Sequence, residues 1–290
     1  MSRIARLLAF WIVPVGMVLT NCSKPALGQD DIWSMPRGNA AASGWSPHTL
    51  PDSLAVAWEF KADEAIETTP VVDAERVYFA DVMGTLYAVS RESGSELWRN
   101  KYDTGFLAAP VVVDDRLVIG DIEGNVYAVS SVDGKKIWTR ETEGEISGAA
   151  GITGDKALVA SQDGKLYCFE LADGKLAWEY QADDQIRCSP TIAGDRTFLG
   201  GCDSQLHVID LNTGKAVGDT LPLGGPTGST PAVLGDRAIL PIMDGSVFAF
   251  DWKAKKQLWR YEDLEQSQEY RNSAAVSKEF VVISSERRQV

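Results

Sequence analysis

The feature that most constrains the fold of this chain is an internal repeat with a period of about 40 residues. Its copies start near residues 66, 106, 146, 186, 227 and 270; the first five are complete and the last is partial. A fixed period of this length is typical of similar units that bury their apolar faces only against their neighbours. We therefore expect one architecture of stacked units, although 290 residues would otherwise suggest two domains.

Each repeat predicts four short strands, because β-branched and aromatic runs alternate with tight-turn signals. In the second repeat, Leu117–Gly120 and Val126–Ser130 flank Glu123-Gly124. The second strand is apolar on both faces, which requires a sheet on each side. Four-stranded sheets stacked around an axis form a β-propeller. The predicted fold is all-β, a β-propeller of four-stranded antiparallel blades with five full repeats and a partial sixth.

The segments that flank the repeats predict how the propeller begins and ends. Trp58 lies 12 residues before Pro70, the spacing of a fourth strand, so residues 54–60 are predicted to be a closing strand that completes the last blade. The chain stops at Val290, where the third strand of the sixth repeat should begin, so we expect a truncated larger propeller. The propeller is assigned to residues 54–290. Residues 29–53 are predicted to be an extension packed on one propeller face, with a partner-binding arm as the alternative.

The first 28 residues have the composition of a signal segment. Arg3 and Arg6 precede an apolar run over residues 7–19 that is too short to span a bilayer. Two processing sites remain open. Cys22 ends a sequence that resembles the lipobox of bacterial lipoproteins and is the lipidation candidate, whereas small residues up to Gly28 favour ordinary cleavage. Both routes predict an exported protein, in the periplasm or attached to the outer membrane.

A motif that joins the third and fourth strands resembles the docking motif of pyrroloquinoline quinone (PQQ) repeats. It is carried by Ala128, Ser130, Gly134 and Trp138, and it recurs in the other repeats. The resemblance implies that each tryptophan packs between neighbouring blades. The structural docking candidates are Trp58, Trp98, Trp138, Trp178 and Trp259. Two positions depart from the motif: Gly218 replaces the tryptophan of the fourth repeat, and Lys255 replaces the glycine of the fifth.

Quinoprotein alcohol dehydrogenase-like propellers share this motif, which raises the question of a cofactor. Those enzymes carry a vicinal cysteine disulfide, a calcium ion held by Glu, Asn and Asp, and an Asp base. This chain has four cysteines and none of them are adjacent. It also lacks a phosphate-binding loop and a G-x-S-x-G motif. We therefore predict no catalytic, cofactor-binding or metal-binding residues, and no cofactor.

Charge and resemblance together predict the class of partner. With 41 acidic and 28 basic residues, the chain has a formal net charge of −13, which disfavours nucleic acid. The repeats resemble those of the propeller lipoproteins of the outer-membrane β-barrel assembly machinery, which are noncatalytic scaffolds. The resemblance implies a protein-interaction scaffold in the cell envelope, with membrane contact only through an N-terminal lipid. The alternatives are a quinone-dependent oxidoreductase remnant and a ligand-sensing ectodomain.

Register predicts one disulfide. If Gly194-Asp195 forms the turn between the first two strands of the fourth repeat, residues whose numbers sum to about 390 should face each other. Cys188 and Cys202 meet that condition, and an exported protein is in a compartment where disulfides persist. The alternatives are buried free thiols and a bridge to Cys168.

Overall fold

Short apolar runs, most of them separated by turns of two to five residues, form five complete antiparallel sheets in the computed structural model, which describes residues 32–262 and 269–285. No helix occurs among these residues. Each complete sheet is one blade, and its four strands pair in chain order from the first to the fourth. This arrangement matches the predicted all-β propeller of four-stranded blades.

The blades follow the repeat. Blade 1 contains β1 (Val71–Val72), β2 (Arg76–Ala80), β3 (Thr85–Ser90) and β4 (Glu96–Lys101). Blade 2 contains β5 (Val111–Val113), β6 (Arg116–Gly120), β7 (Asn125–Ser130) and β8 (Lys136–Glu141). Blade 3 contains β9 (Gly151–Thr153), β10 (Lys156–Ala160), β11 (Lys165–Glu170) and β12 (Leu176–Gln181).

The remaining strands complete two further blades and begin a third. Blade 4 contains β13 (Thr191–Ala193), β14 (Arg196–Gly200), β15 (Gln205–Asp210) and β16 (Leu221–Pro222). Blade 5 contains β17 (Ala232–Leu234), β18 (Arg237–Pro241), β19 (Ser246–Asp251) and β20 (Lys256–Glu262). The partial sixth blade contains β21 (Ala275–Val276) and β22 (Val281–Val282).

The apolar cores lie between successive blades. One core packs Val118 and Val126 of blade 2 against Ala157 and Val159 of blade 3. Equivalent cores lie between blades 1 and 2, 3 and 4, 4 and 5, and blade 5 and the partial blade. A blade therefore buries its two faces against its neighbours, which explains the apolar character of both faces of the second strand.

A segment near the N-terminus runs along the innermost strands of the blades. The carbonyls of Ser34, Ala40, Ala41 and Ser43 accept hydrogen bonds from first-strand amides in blade 2, blade 4, blade 5 and the partial blade, at 2.7–2.9 Å, and Trp33 exchanges two hydrogen bonds with Val72 of blade 1. We call residues 33–43 the central segment. It pairs backbone groups at sheet edges that would otherwise lack a partner.

The central segment and the residues after it should differ in protease sensitivity. Trp45 and Leu54 are 53% and 74% exposed and lie outside regular structure. We expect chymotrypsin to cleave after Trp45 and Leu54 first and to leave Trp33 intact, because cleavage requires a locally open backbone. Mass spectrometry of early fragments tests this. Cleavage after Trp33 at an equal rate would contradict the hydrogen bonding of the central segment.

The predicted closing strand is not formed, and this expectation was wrong. Residues 54–60 carry no strand in the structure, and Leu54 and Val56 are 74% and 77% exposed. A fourth strand is held by hydrogen bonds to the third strand of its own blade, and the described part of the partial blade contains only β21 and β22. Trp58, Phe60 and Ala62 nevertheless pack against blade 1, as the fourth strand of a preceding blade would.

Antiparallel pairing sorts the loops onto two ends of the sheets. The turns between second and third strands, and the connections from each fourth strand to the next first strand, lie at one end. We call this end the connection face; it comprises residues 61–70, 81–84, 102–110, 121–124, 142–150, 161–164, 182–190, 201–204, 223–231, 242–245 and 269–274. The opposite end is the turn face, with residues 73–75, 91–95, 114–115, 131–135, 154–155, 171–175, 194–195, 211–220, 235–236, 252–255 and 277–280.

Candidate functional site

Four tryptophans dock onto the following blade in one shared geometry. Each indole Nε1 donates to a backbone carbonyl 33 residues later, at 2.9–3.1 Å; the pairs are Trp58 with Arg91, Trp98 with Ser131, Trp138 with Leu171, and Trp178 with Leu211. Each ring also covers the motif glycine of that blade. A Cβ built on Gly174 would lie 2.7 Å from the Trp138 ring. These residues therefore fix the spacing between blades.

The structure gives Trp259 a different environment from the other four candidates. Its side chain is 38% exposed, and its Nε1 makes no docking hydrogen bond with a described residue. The turn after the third strand of the next blade would supply the acceptor and the glycine, and the described part of the partial blade ends before such a turn. The described residues therefore provide no docking surface for Trp259, and its docking stays a prediction.

The two departures from the motif occur at the same blade boundary. A tryptophan at position 218 of blade 4 would cover the motif glycine of blade 5, which is Lys255 in this chain. Lys255 keeps the left-handed backbone of that position, with a φ of 53°. The Lys255 side chain reaches back toward Gly218: its Cε lies 3.8 Å from a Cβ built on Gly218, and its Nζ donates to the Asp219 carbonyl at 3.2 Å. Trp252 of blade 5 packs edge-on against Phe198 of blade 4, with ring centroids 5.2 Å apart, and donates to the Gly235 carbonyl at 3.0 Å. The packing of Trp252 at this boundary was not predicted from the sequence. Its signal was a tryptophan outside the motif positions in the blade that follows the missing motif tryptophan.

A set of buried polar pairs anchors the turns of the connection face. Tyr87, Tyr127 and Tyr167 donate their hydroxyls to Asp81, Asp121 and Asp163 at 2.7–2.9 Å. Burial, followed by the hydrogen bond to Asp121, raises the pKa of Tyr127 above its usual value. These carboxylates also accept backbone N–H groups of their own turns. They are therefore committed to turn structure and are not free for acid–base chemistry.

His207 occupies the tyrosine position of blade 4, as the sequence predicts. Its side chain is buried, its Nε2 lies 2.8 Å from an Asp203 oxygen, and its Nδ1 lies 2.9 Å from the Tyr180 hydroxyl. The imidazole replaces a phenol in the same pair. It thus supports the turn and the boundary between blades 3 and 4.

The predicted disulfide between Cys188 and Cys202 is absent, and this expectation was wrong. Ala193 pairs with Arg196 across a two-residue turn, so facing residues sum to 389 rather than 390. A shift of one residue sends side chains to opposite faces of a strand. Cys188 instead donates to the Gly200 carbonyl at 3.2 Å, and Cys168 and Cys202 are also free thiols.

The thiols should differ in reactivity. Burial raises the pKa of both Cys168 and Cys188 to about 12, so at pH 8 almost none of either thiol is the reactive thiolate. Burial raises the pKa of the Cys202 thiol as well, but this side chain is partly exposed and the reagent can reach it. We expect iodoacetamide to label only Cys202 in the native Cys22→Ser variant, and to label all three thiols after unfolding. Native labelling of Cys188 at the rate of Cys202 would contradict this.

The residues do not fit the quinone and calcium site of the dehydrogenases. Among the described residues, no group of three His, Cys, Asp or Glu side chains could hold a metal ion. The three described cysteines are separate thiols rather than a vicinal disulfide. No catalytic step through a quinone is derived for this chain.

The N-terminal predictions fall outside the structure. The signal segment, the lipidation candidate Cys22 and the alternative cleavage site after Gly28 lie within residues 1–31, which are not among the described residues. Within 32–262 and 269–285, no helix has the length and hydropathy needed to cross a membrane.

Comparison with known families identifies the repeat. The family model described as outer membrane protein assembly factor BamB matches residues 51–148 and 122–217, which together cover more than half of the chain. The chain belongs to this family. A search of curated proteins found no match to the chain.

Solved structures match the fold. BamB from Moraxella catarrhalis is 18% identical, with a TM-score of 0.64 over 72% of this chain and 68% of that chain. A europium-containing methanol dehydrogenase is 13% identical, with a TM-score of 0.66 over 80% of this chain and 58% of that chain. Quinohemoprotein alcohol dehydrogenase from Comamonas testosteroni is 15% identical, with a TM-score of 0.65 over 80% and 49%. The chain spans only about half of each enzyme, and identities this low establish the fold alone.

Proposed function

We propose that this protein is an exported, noncatalytic propeller scaffold that holds other envelope proteins. The observation that carries the proposal is the match of residues 51–217 to the BamB family. The residues that repeat from blade to blade have packing roles: the docking tryptophans join blades, and the Tyr–Asp pairs hold turns. The loops at the two ends of the blades are left for recognition, which is where scaffolds of this architecture vary.

The central segment supports the same proposal. Its carbonyls accept hydrogen bonds from the innermost strands of blades 1, 2, 4 and 5 and of the partial blade, so the chain itself lies along the edges that face the propeller axis. The second candidate, a quinone-dependent oxidoreductase remnant, is favoured only by the shared fold of the alcohol dehydrogenases. It lacks a matching set of metal-binding side chains among the described residues.

A titration with PQQ and Ca²⁺ separates these two candidates. For a scaffold, we expect neither quenching of tryptophan fluorescence beyond the absorbance of the quinone nor dye reduction with primary alcohols. Saturable quenching with alcohol-dependent dye reduction would support the oxidoreductase instead. A quinoprotein alcohol dehydrogenase, reconstituted in parallel, shows that the assay reports both signals.

The proposed location follows from residues 1–28. Export would place the chain in the periplasm, and acylation of Cys22 would attach it to the outer membrane. Mass spectrometry of the mature N-terminus distinguishes a lipid-modified Cys22 from a chain cleaved after Gly28. Recovery of the chain in the cytoplasm with an intact N-terminus would overturn the export proposal.

Contact with envelope proteins is tested by photo-crosslinking in cells. A photoreactive amino acid replaces Glu123 on the connection face in one variant and Asp173 on the turn face in another; both side chains are exposed. We expect ultraviolet-dependent adducts with envelope proteins from at least one position. No adduct from either position would overturn the scaffold proposal.

A further inference from the structure

The two faces of the propeller differ sharply in charge. The loops of the connection face contain 15 acidic and 3 basic residues, and those of the turn face contain 12 and 7. Strand ends add further charges to the turn face. The second strands start with the basic residues Arg76, Arg116, Lys156, Arg196 and Arg237, and three of the third strands end with the acidic residues Glu170, Asp210 and Asp251. The overall charge of −13 is therefore concentrated at one end of the molecule.

Ion pairs occur on both faces. On the connection face, Arg99 pairs with Asp63 and Arg260 with Asp244, and the Lys101 ammonium donates to the Met83 carbonyl. On the turn face, Arg116 pairs with Asp115, Lys156 with Asp155 and Arg196 with Asp195. Three exposed carboxylates of the connection face, Asp63, Asp244 and Glu269, are in ion pairs. Seven others are exposed and form no ion pair with a described residue: Glu64, Glu67, Asp103, Glu123, Glu143, Asp183 and Asp184. Unneutralised carboxylates on one face sum to a negative potential that falls off over about 8 Å at physiological salt.

Exposed apolar side chains lie on the same face at blades 1 and 2. Ile66, Met83, Leu107 and Ile122 are 43%, 56%, 37% and 37% exposed. Hydrogen bonds hold their loops together, because the Val82 amide donates to Ala65 and the Ile122 amide donates to Gly105. We call these four side chains the apolar patch. The equivalents of Ile122 in blades 3, 4 and 5 are Gln162, Cys202 and Met243, and Met243 is only partly exposed. Among the described residues of the connection face, the four residues of the apolar patch are the exposed large apolar side chains.

We propose that the connection face at blades 1 and 2 binds a protein surface in which apolar side chains are surrounded by lysine or arginine. An apolar centre with a charged rim is the usual anatomy of a protein interface. The carboxylates select a basic partner and speed the encounter, and they disfavour an anionic lipid surface for the same reason. This inference rests on the scaffold proposal and adds the face and the chemistry of its partner.

The probe for this face is a fluorescein-labelled amphipathic peptide of leucine and lysine, with oligolysine as the purely charged comparison. We expect the wild-type chain to bind the peptide more weakly at 0.5 M than at 0.15 M salt. Glu64→Lys, Glu67→Lys and Glu123→Lys together should weaken binding at least tenfold, because three carboxylates become cations.

A matched control carries the same charge change on the other face. Asp155→Lys, Asp173→Lys and Asp236→Lys together should change peptide affinity by less than twofold. Met83→Ser with Ile122→Ser should weaken binding of the amphipathic peptide but leave oligolysine binding unchanged. Thermal melts show whether each variant is folded. Equal effects of the two charge triplets would show that binding follows net charge alone and would overturn the inference.

Crosslinking in cells keeps this inference separate from the scaffold proposal. Adducts from position 123 and none from position 173 support the connection face. Adducts from position 173 alone would overturn the inference while leaving the scaffold proposal intact. No adduct from either position would overturn the scaffold proposal itself.

Discussion

Replacing Trp138 with alanine is expected to lower the free energy of unfolding by about 3–5 kcal/mol, the usual cost of deleting a large buried aromatic side chain. The Trp138 side chain is 5% exposed, its Nε1 donates to Leu171 at 2.9 Å, and its ring packs on Gly174. Removing it leaves a cavity between blades 2 and 3 and an unpaired carbonyl. Urea unfolding monitored by circular dichroism measures the change.

Trp259 supplies the matched control, because it occupies the same motif position without a following motif glycine to cover. Trp259→Ala should cost only about 1 kcal/mol, since much of the ring is already in water. Similar losses in the two variants would mean that docking onto the next blade contributes little. A loss in Trp138→Ala that far exceeds the loss in Trp259→Ala would assign the energy to the blade boundary.

The regular part of this fold was predictable from the sequence because each blade repeats the same local chemistry. A turn glycine, a buried third strand and a tryptophan at fixed spacing specify strand order wherever all three occur. The boundary between blades 4 and 5 breaks the pattern: Lys255 reaches toward Gly218, and Trp252 of blade 5 packs against Phe198 of blade 4. Such packing depends on three-dimensional proximity, which the repeat spacing does not encode.

Two other features depend on contacts that lack a periodic signal. The central segment binds the blades through backbone carbonyls, so the identities of Ala40 and Ala41 contain no information about their partners. The disulfide expectation failed for a geometric reason: the two-residue turn between Ala193 and Arg196 sets the register one residue away from the assumed one. The asymmetric charge of the two faces likewise emerged only when strand bounds assigned each loop to an end.

Gly174→Ala is expected to cost roughly 2–5 kcal/mol, although it adds a single methyl group. Gly174 has a φ of 72°, where an L-residue other than glycine costs about 1–2 kcal/mol. Its new Cβ would also lie 2.7 Å from the Trp138 ring, and overpacking adds about 1–3 kcal/mol.

Gly154→Ala isolates the backbone contribution, because Gly154 has a φ of 54° and nothing within 4 Å of the added Cβ. We expect the control to lose only about 1–2 kcal/mol, so the difference between the two variants measures the contact with the ring. In the background of Trp138→Ala, the loss of unfolding free energy caused by Gly174→Ala should fall to the loss caused by Gly154→Ala, because the ring that the new methyl group collides with is gone. A Gly174→Ala penalty that stays the same in both backgrounds would show that the glycine is required for its backbone conformation alone and not for docking the tryptophan.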